Sequence, residues 1–177
     1  MALVSRVEPI IPAGSATVRA TSVEHLLTQV AQSTPNVSDS GTVVLVDDDP
    51  LILRCLKRAL ESCPYHIAAC STAHEALECM AYNRVIAIVS DMSMPDMSGL
   101  DLLRTARERD ADIPVVLLTG MSSFAIATEA LELGAYMYLT KPIDPTALCA
   151  VVMQAAQSYR ATRAAQNAGA VVPDAWS

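Results

Sequence analysis

The stretch VIAIVSDMSMPDMSGLDLL, residues 85–103, decides how this chain folds. It opens with an apolar run of strand length, Val85 to Val89. Ser90 and a single carboxylate, Asp91, end the run, and Met92-Ser-Met-Pro95 leads into a helical pattern near Ser98. A charge at the tip of a strand bound for the core has two explanations. It caps the next helix, or it is a chemical group that the fold holds in place.

The same alternation runs on both sides of this stretch. Apolar runs of strand length stand at Thr42–Val46, Tyr65–Ala69, Val85–Val89, Val115–Leu118 and Tyr136–Leu139. Helical periods follow them, the first from Pro50 and the others over 73–82, 98–109, 123–133 and 145–160. In the first, Ile52, Cys55, Leu56, Ala59 and Leu60 make an apolar face, with Arg54, Lys57, Arg58 and Glu61 opposite. Pro50 suits the first helical position and Asp49 the cap before it. Strands alternating with helices predict an α/β fold with a parallel sheet covered by helices on both faces. Strands buried on both faces are continuously apolar, as these are. In such sheets sites form at the carboxyl ends of the strands, where the strand order reverses.

The strand ends carry the chemistry. The first ends in VLVDDDP, with Asp47, Asp48 and Asp49; the third ends at Asp91; the fourth ends in LLTG, with Thr119; the fifth ends in YLTKP, with Lys141. Like charges about 4 Å apart cost on the order of 4 kcal/mol at an effective dielectric near 20, so these carboxylates need a proton or a cation. Oxygen ligands on a partly open rim suit Mg²⁺, which keeps several waters and is completed by phosphate oxygens. Lys141 is placed to meet an anion and Thr119 to donate a hydrogen bond to it. Metal, lysine and a carboxylate nucleophile are the parts of phosphoryl transfer to an aspartate.

LVDDDP, Asp91 in VSDMSMPDMSG, LLTG and YLTKP, in this order, resemble the receiver domain of bacterial two-component response regulators, over about residues 42–157. The resemblance implies a doubly wound, flavodoxin-like sheet of order 2-1-3-4-5. It implies that Asp91 accepts a phosphoryl group from a histidine kinase or phosphotransfer protein. Asp48, Asp91 and the backbone carbonyl of Ser93 would hold Mg²⁺, with Asp47 acting through water. Lys141 would pair with a phosphoryl oxygen, and the Lys141–Pro142 bond would be cis. Thr119 and Tyr138 would switch together, changing the face made by the fourth helix, fifth strand and fifth helix. Pro95 and Gly99 match the loop that shapes the site, and Gly120 a position whose small residue leaves the phosphate accessible.

Two features depart from the commoner pattern. The residues before Tyr138 are Tyr136 and Met137, where the family usually carries acids, which removes the groups of a salt-bridged dimer and leaves an apolar contact. The expected state is a monomer or a weak, phosphorylation-dependent dimer. Ser93 and Met121 occupy positions that tune dephosphorylation and offer neither charge nor amide to position water, which implies slow loss of the phosphoryl group.

Other residues take plainer readings. Asp49 is a cap; Asp96 and Asp101 are solvated; His25, His66 and His74 share no ligand spacing; Met92, Met94 and Met97 pack over Asp91. Five cysteines, odd in number and without a CxxC pair, read as free thiols in a reducing cytoplasm. Net charge is −7, and residues 41–155 carry all of it with 8 basic and 15 acidic side chains, which argues against direct DNA binding by this chain. No apolar run nears the roughly 18 residues of a membrane span. Residues 1–40, closing in STPNVSDSG (33–41), read as a flexible extension with one amphipathic patch, Val23–Val30; 41–160 form the globular domain; 161–177 form a helical extension and tail.

Two competing functions remain at the level of sequence. Asp47-x-Asp49 mimics the opening motif of haloacid dehalogenase-type phosphatases, in which Asp47 would be the nucleophile, although only Asp144 follows Lys141 as the further acid that family needs. A receiver-like binding module that is never phosphorylated is the other. The receiver reading makes the chain a signalling phosphoacceptor rather than an enzyme, with its downstream partner undefined.

Overall fold

The computed structural model describes residues 41–120 and 124–169. The Val23–Val30 patch, Met121 and the tail from 170 lie outside them. The chain alternates β1 (Thr42–Val46), α1 (Pro50–Ala59), β2 (His66–Cys70), α2 (Ala73–Tyr82), β3 (Val85–Asp91), α3 (Gly99–Arg109), β4 (Val115–Thr119), α4 (Phe124–Glu132), β5 (Met137–Thr140) and α5 (Pro145–Gly169). The strands form one parallel sheet in the order β2-β1-β3-β4-β5. The order reverses at β1, so the carboxyl ends of β1 and β3 flank the switch point.

β1, β3 and β4 are buried along their whole length, which explains their unbroken Val, Ile and Leu content. β2 departs from the expected pattern, because only Cys70 in it is buried. It pairs with β1 alone at the sheet edge, so one side lacks a neighbour to cover it. β3 runs two residues beyond the apolar stretch, and Asp91 still pairs with Leu118. The acid is therefore held by sheet pairing rather than by a loop.

The helix starts follow their caps. Asp49 Oδ1 accepts from the Leu51 amide at 2.7 Å, Thr72 Oγ1 from the Glu75 amide at 3.1 Å, and Ser98 Oγ from the Asp101 amide at 3.2 Å. The buried face of α1 is Leu53, Leu56 and Leu60, and Cys55 is exposed, which corrects the expected face. The reason is a small rotation about the helix axis: Leu53, unassigned in the sequence pattern, turns inward, and Ile52 is left half-buried.

α5 is one continuous helix that runs well past 160. Its last turns are tied down by polar contacts to the α3–β4 connection. Tyr159 Oη donates to Asp110 Oδ2 at 2.6 Å, Arg163 Nη2 to the same oxygen at 2.7 Å, and Gln166 Nε2 to Asp112 Oδ2 at 2.6 Å. No helix among the described residues is long and apolar enough to cross a membrane.

Candidate functional site

The rim at the carboxyl ends of β1, β3 and β5 brings together the residues the sequence singled out. Lys141 Nζ donates to Asp47 Oδ2 at 2.7 Å and to Asp91 Oδ1 at 2.5 Å. The remaining oxygens also accept: Asp47 Oδ1 from the Asp49 amide at 2.9 Å, and Asp91 Oδ2 from the Ser93 amide at 2.7 Å. Asp47 is only 1% exposed and Asp91 7%, so neither could be buried as a charge without such partners. Asp48 lies between the two other acids in sequence but faces solvent.

The cation required by this crowd of carboxylates is Lys141 itself. Burial pulls its pKa down, but the hydrogen bonds to Asp47 and Asp91 and their charges outweigh it, leaving the ammonium more basic than the ordinary 10.5. Because the folded-state value is raised, the contribution to stability is complete below the ordinary lysine range and disappears only as pH climbs through the raised value. Lys141→Met is expected to cost about 2–3 kcal/mol at neutral pH, because it leaves two carboxylates facing each other; full burial would cost more. Chemical denaturation measures this, and the mutant and parent curves should converge at strongly alkaline pH.

Backbone contacts set the position of the lysine. Its amide donates to Thr119 O at 2.7 Å, joining the ends of β4 and β5, and the Lys141–Pro142 bond is cis. Thr119 is buried at the end of β4, and Tyr138 is buried in β5 opposite Leu117. Tyr136 and Met137 are half-buried at the start of that strand. Gly120 faces open space, since a Cβ there would meet nothing within 4 Å.

The loop after Asp91 is anchored by Asp96, which is exposed as the sequence suggested but also bonded. Asp96 Oδ2 accepts from the Ala73 amide at 2.9 Å and the His74 amide at 3.4 Å, so it crosses to the N-terminus of α2. Gly99 closes the same loop by donating its amide to Met92 O at 3.0 Å. Met92 is buried, and Met94 and Met97 pack partly buried against the core, as expected. Asp101 is exposed as well, with Ser98 and Arg104 as its partners. The sequence held no signal for Asp96, because its partners are amides more than twenty residues away.

Asp47 and Asp48 follow β1 and Asp91 ends β3, so carboxylate oxygens stand at neighbouring strand ends. Among the described residues no three ligating side chains converge tightly enough to hold a metal alone. Carboxylate oxygens of this kind are the chemistry Mg²⁺ takes, with water and phosphate completing its shell. A cavity of about 480 Å³ opens at the opposite end of the sheet, lined by Arg84, Arg109, Ile113 and Tyr159 among others, and touches none of the rim residues.

The chain resembles known proteins in both sequence and fold. Residues 43–153 match the family model for the response regulator receiver domain. The C4-dicarboxylate transport transcriptional regulatory protein DctD of Pseudomonas aeruginosa is 35% identical over 118 residues, 67% of this chain and 26% of that protein. The DNA-binding transcriptional regulator NtrC of Escherichia coli is 34% identical over 127 residues, 72% of this chain and 27% of that protein. The chain thus spans about a quarter of the length of these curated relatives. Among solved structures, a CheY-like receiver domain from Methanospirillum hungatei superposes with a TM-score of 0.66 at 27% identity, covering 70% of this chain and 99% of that one. A receiver domain from Clostridium thermocellum gives 0.65 at 27% identity, covering 69% and 98%.

Proposed function

Because the chain belongs to the response regulator receiver family, the signalling domains of two-component systems, we propose that Asp91 is its phosphoacceptor. The observation that carries this reading is the double ion pair of Lys141 with Asp47 and Asp91 at the switch point of the sheet. In the transfer, a carboxylate oxygen of Asp91 attacks phosphorus, the bond to the donor histidine nitrogen breaks, and an acyl phosphate forms. Lys141 keeps Asp47 and moves its second bond to a phosphoryl oxygen, which carries the charge that Asp91 gives up. Asp48, Asp91 and the Ser93 carbonyl, with Asp47 through water, would hold Mg²⁺, whose charge offsets that of the incoming phosphoryl group. Thr119 then turns its hydroxyl toward the phosphoryl group, and Tyr138 follows it inward.

The phosphodonor is a histidine kinase or a phosphotransfer protein in a bacterial cytoplasm. The output is a change in partner binding at the α4–β5–α5 face, where Tyr136 and Met137 favour an apolar contact. The DNA-binding function in the name of NtrC belongs to that protein; residues 41–155 of this chain are acidic overall, with 8 basic and 15 acidic side chains.

Incubation with a small phosphodonor and Mg²⁺, followed by peptide mapping, tests the reading. A base-labile label on the peptide holding Asp91 is expected. A label on Asp47 would overturn the assignment of Asp91, and no label at all would favour a binding module that works without phosphorylation. The acyl phosphate, once formed, is expected to persist for minutes or longer in the purified protein, since Ser93 and Met121 offer neither a charge nor an amide to position the attacking water. Decay within seconds, followed by phosphate release, would overturn that.

A further inference from the structure

The loop between β3 and α3, residues 92–98, is held at its two ends by backbone amides. At its start the Met92 amide donates to Leu118 O at 2.8 Å and the Ser93 amide to Asp91 Oδ2 at 2.7 Å. At its end the Gly99 amide donates to Met92 O at 3.0 Å. Between these ends a side chain takes over: Asp96 Oδ2 accepts from the Ala73 amide at 2.9 Å and the His74 amide at 3.4 Å, both on α2. Only Met94 and Pro95 separate Asp96 from Ser93, and the proline ring fixes one backbone dihedral of that short link. We infer that Asp96 is a positioning residue for Mg²⁺, holding the loop on α2 and so setting the direction of the Ser93 carbonyl; this rests on the Mg²⁺ reading of the rim given above.

The plainer role, a cap for α2, leaves the geometry only partly explained. α2 already has local caps. Thr72 Oγ1 accepts from the Glu75 amide at 3.1 Å, and Glu75 Oε2 accepts from the Ser71 amide at 2.7 Å. Asp96 takes two further amides of the first turn from a distant loop, and its charge faces the positive end of the helix dipole. The side chain is exposed, so removing it opens no cavity in the core. The consequence falls on the loop instead. A carbonyl turns with its own backbone, and Mg²⁺ demands near-octahedral ligand geometry, so a small rotation at Ser93 is felt as lost affinity.

The test uses the full chain and Mg²⁺ alone, followed through amide NMR resonances. In the parent, Mg²⁺ is expected to move the Ala73 and His74 resonances together with that of Ser93. In Asp96→Ala the dissociation constant for Mg²⁺ should rise about 10-fold, the lower end of the loss when a group that orients a metal ligand is removed. Asp96→Asn keeps an oxygen acceptor without the charge and should stay within about 3-fold of the parent, since only the attraction to the helix dipole is lost. Labelling of Asp91 should divide the same way: Asp96→Ala needs more Mg²⁺ for its half-maximal rate and reaches the parent rate at saturation.

Parent-like Mg²⁺ affinity in Asp96→Ala would reduce Asp96 to a helix cap, and an Asp96→Asn variant as weak as Asp96→Ala would make it a remote charge. Either result overturns the inference while Asp91 labelling of the parent still stands. Ala73 and His74 resonances that stay fixed in a parent that binds Mg²⁺ also overturn it, and that result needs no variant to fold. A parent that binds no Mg²⁺ overturns it together with the Mg²⁺ reading of the rim.

Discussion

Asp91→Asn is expected to reduce phosphoryl incorporation from a small phosphodonor to background, a loss of at least about 100-fold, the scale on which removal of a single catalytic group is felt. The amide keeps the shape of the carboxylate and can still accept from the Ser93 amide, but it has no anionic oxygen to form the acyl phosphate. The fold should survive the change. Lys141 retains Asp47 as its partner at 2.7 Å, so no charge is left unpaired, and the substitution removes one of two buried like charges. Thermal unfolding should therefore match the parent within about 1 kcal/mol or exceed it, which separates loss of chemistry from loss of structure. Labelling that continues at the parent rate would move the acceptor elsewhere, and mapping would show where.

Gly99→Ala is expected to damage both stability and labelling. A Cβ on Gly99 would lie 2.5 Å from the Asp91 carbonyl oxygen and 3.0 Å from Met92 Cα, and both contacts are with backbone that no side-chain rotation can relieve. Either the first turn of α3 lifts away or the end of β3 shifts, and the second alternative displaces the acceptor itself. Overpacking of this kind costs about 1–3 kcal/mol, which a urea midpoint resolves. Labelling should slow in the same variant even under conditions where it is folded. Gly120→Ala is the control. Its Cβ meets nothing within 4 Å, so it should leave stability unchanged and act only through access to the rim.

Most of the fold was legible because it rests on local signals. Burial on both faces demands unbroken apolar strands, and the caps Asp49 and Ser98 stand one residue before the helices they start. The strand of lowest burial, β2, was overestimated because an apolar run looks the same at the edge of a sheet as in its middle. The inward face of α1 was misplaced for a related reason. In PLILRCLKRA, Ile52, Leu53 and Cys55 offer two overlapping apolar stripes, and only the position of the sheet selects Leu53 and Leu56.

The site divides along the same line. Asp47, Asp48, Asp91, Thr119 and Lys141 could be named from sequence because parallel topology sends every strand end to one rim, so order along the chain implies proximity. Which acid the lysine neutralises could not be read that way. The answer, that Lys141 holds Asp47 and Asp91 at once while Asp48 turns to solvent, depends on side-chain direction at the strand ends. The tie from Asp96 to α2 lies further still from any sequence pattern. Periodicity and strand-end chemistry by themselves determined the parallel α/β class and the candidate residues at the rim, because both follow from local hydrophobicity and chain direction. The pairing of charges and the anchoring of the loop after Asp91 were decided only by tertiary structure, because each depends on distances between atoms that the chain separates by tens of residues.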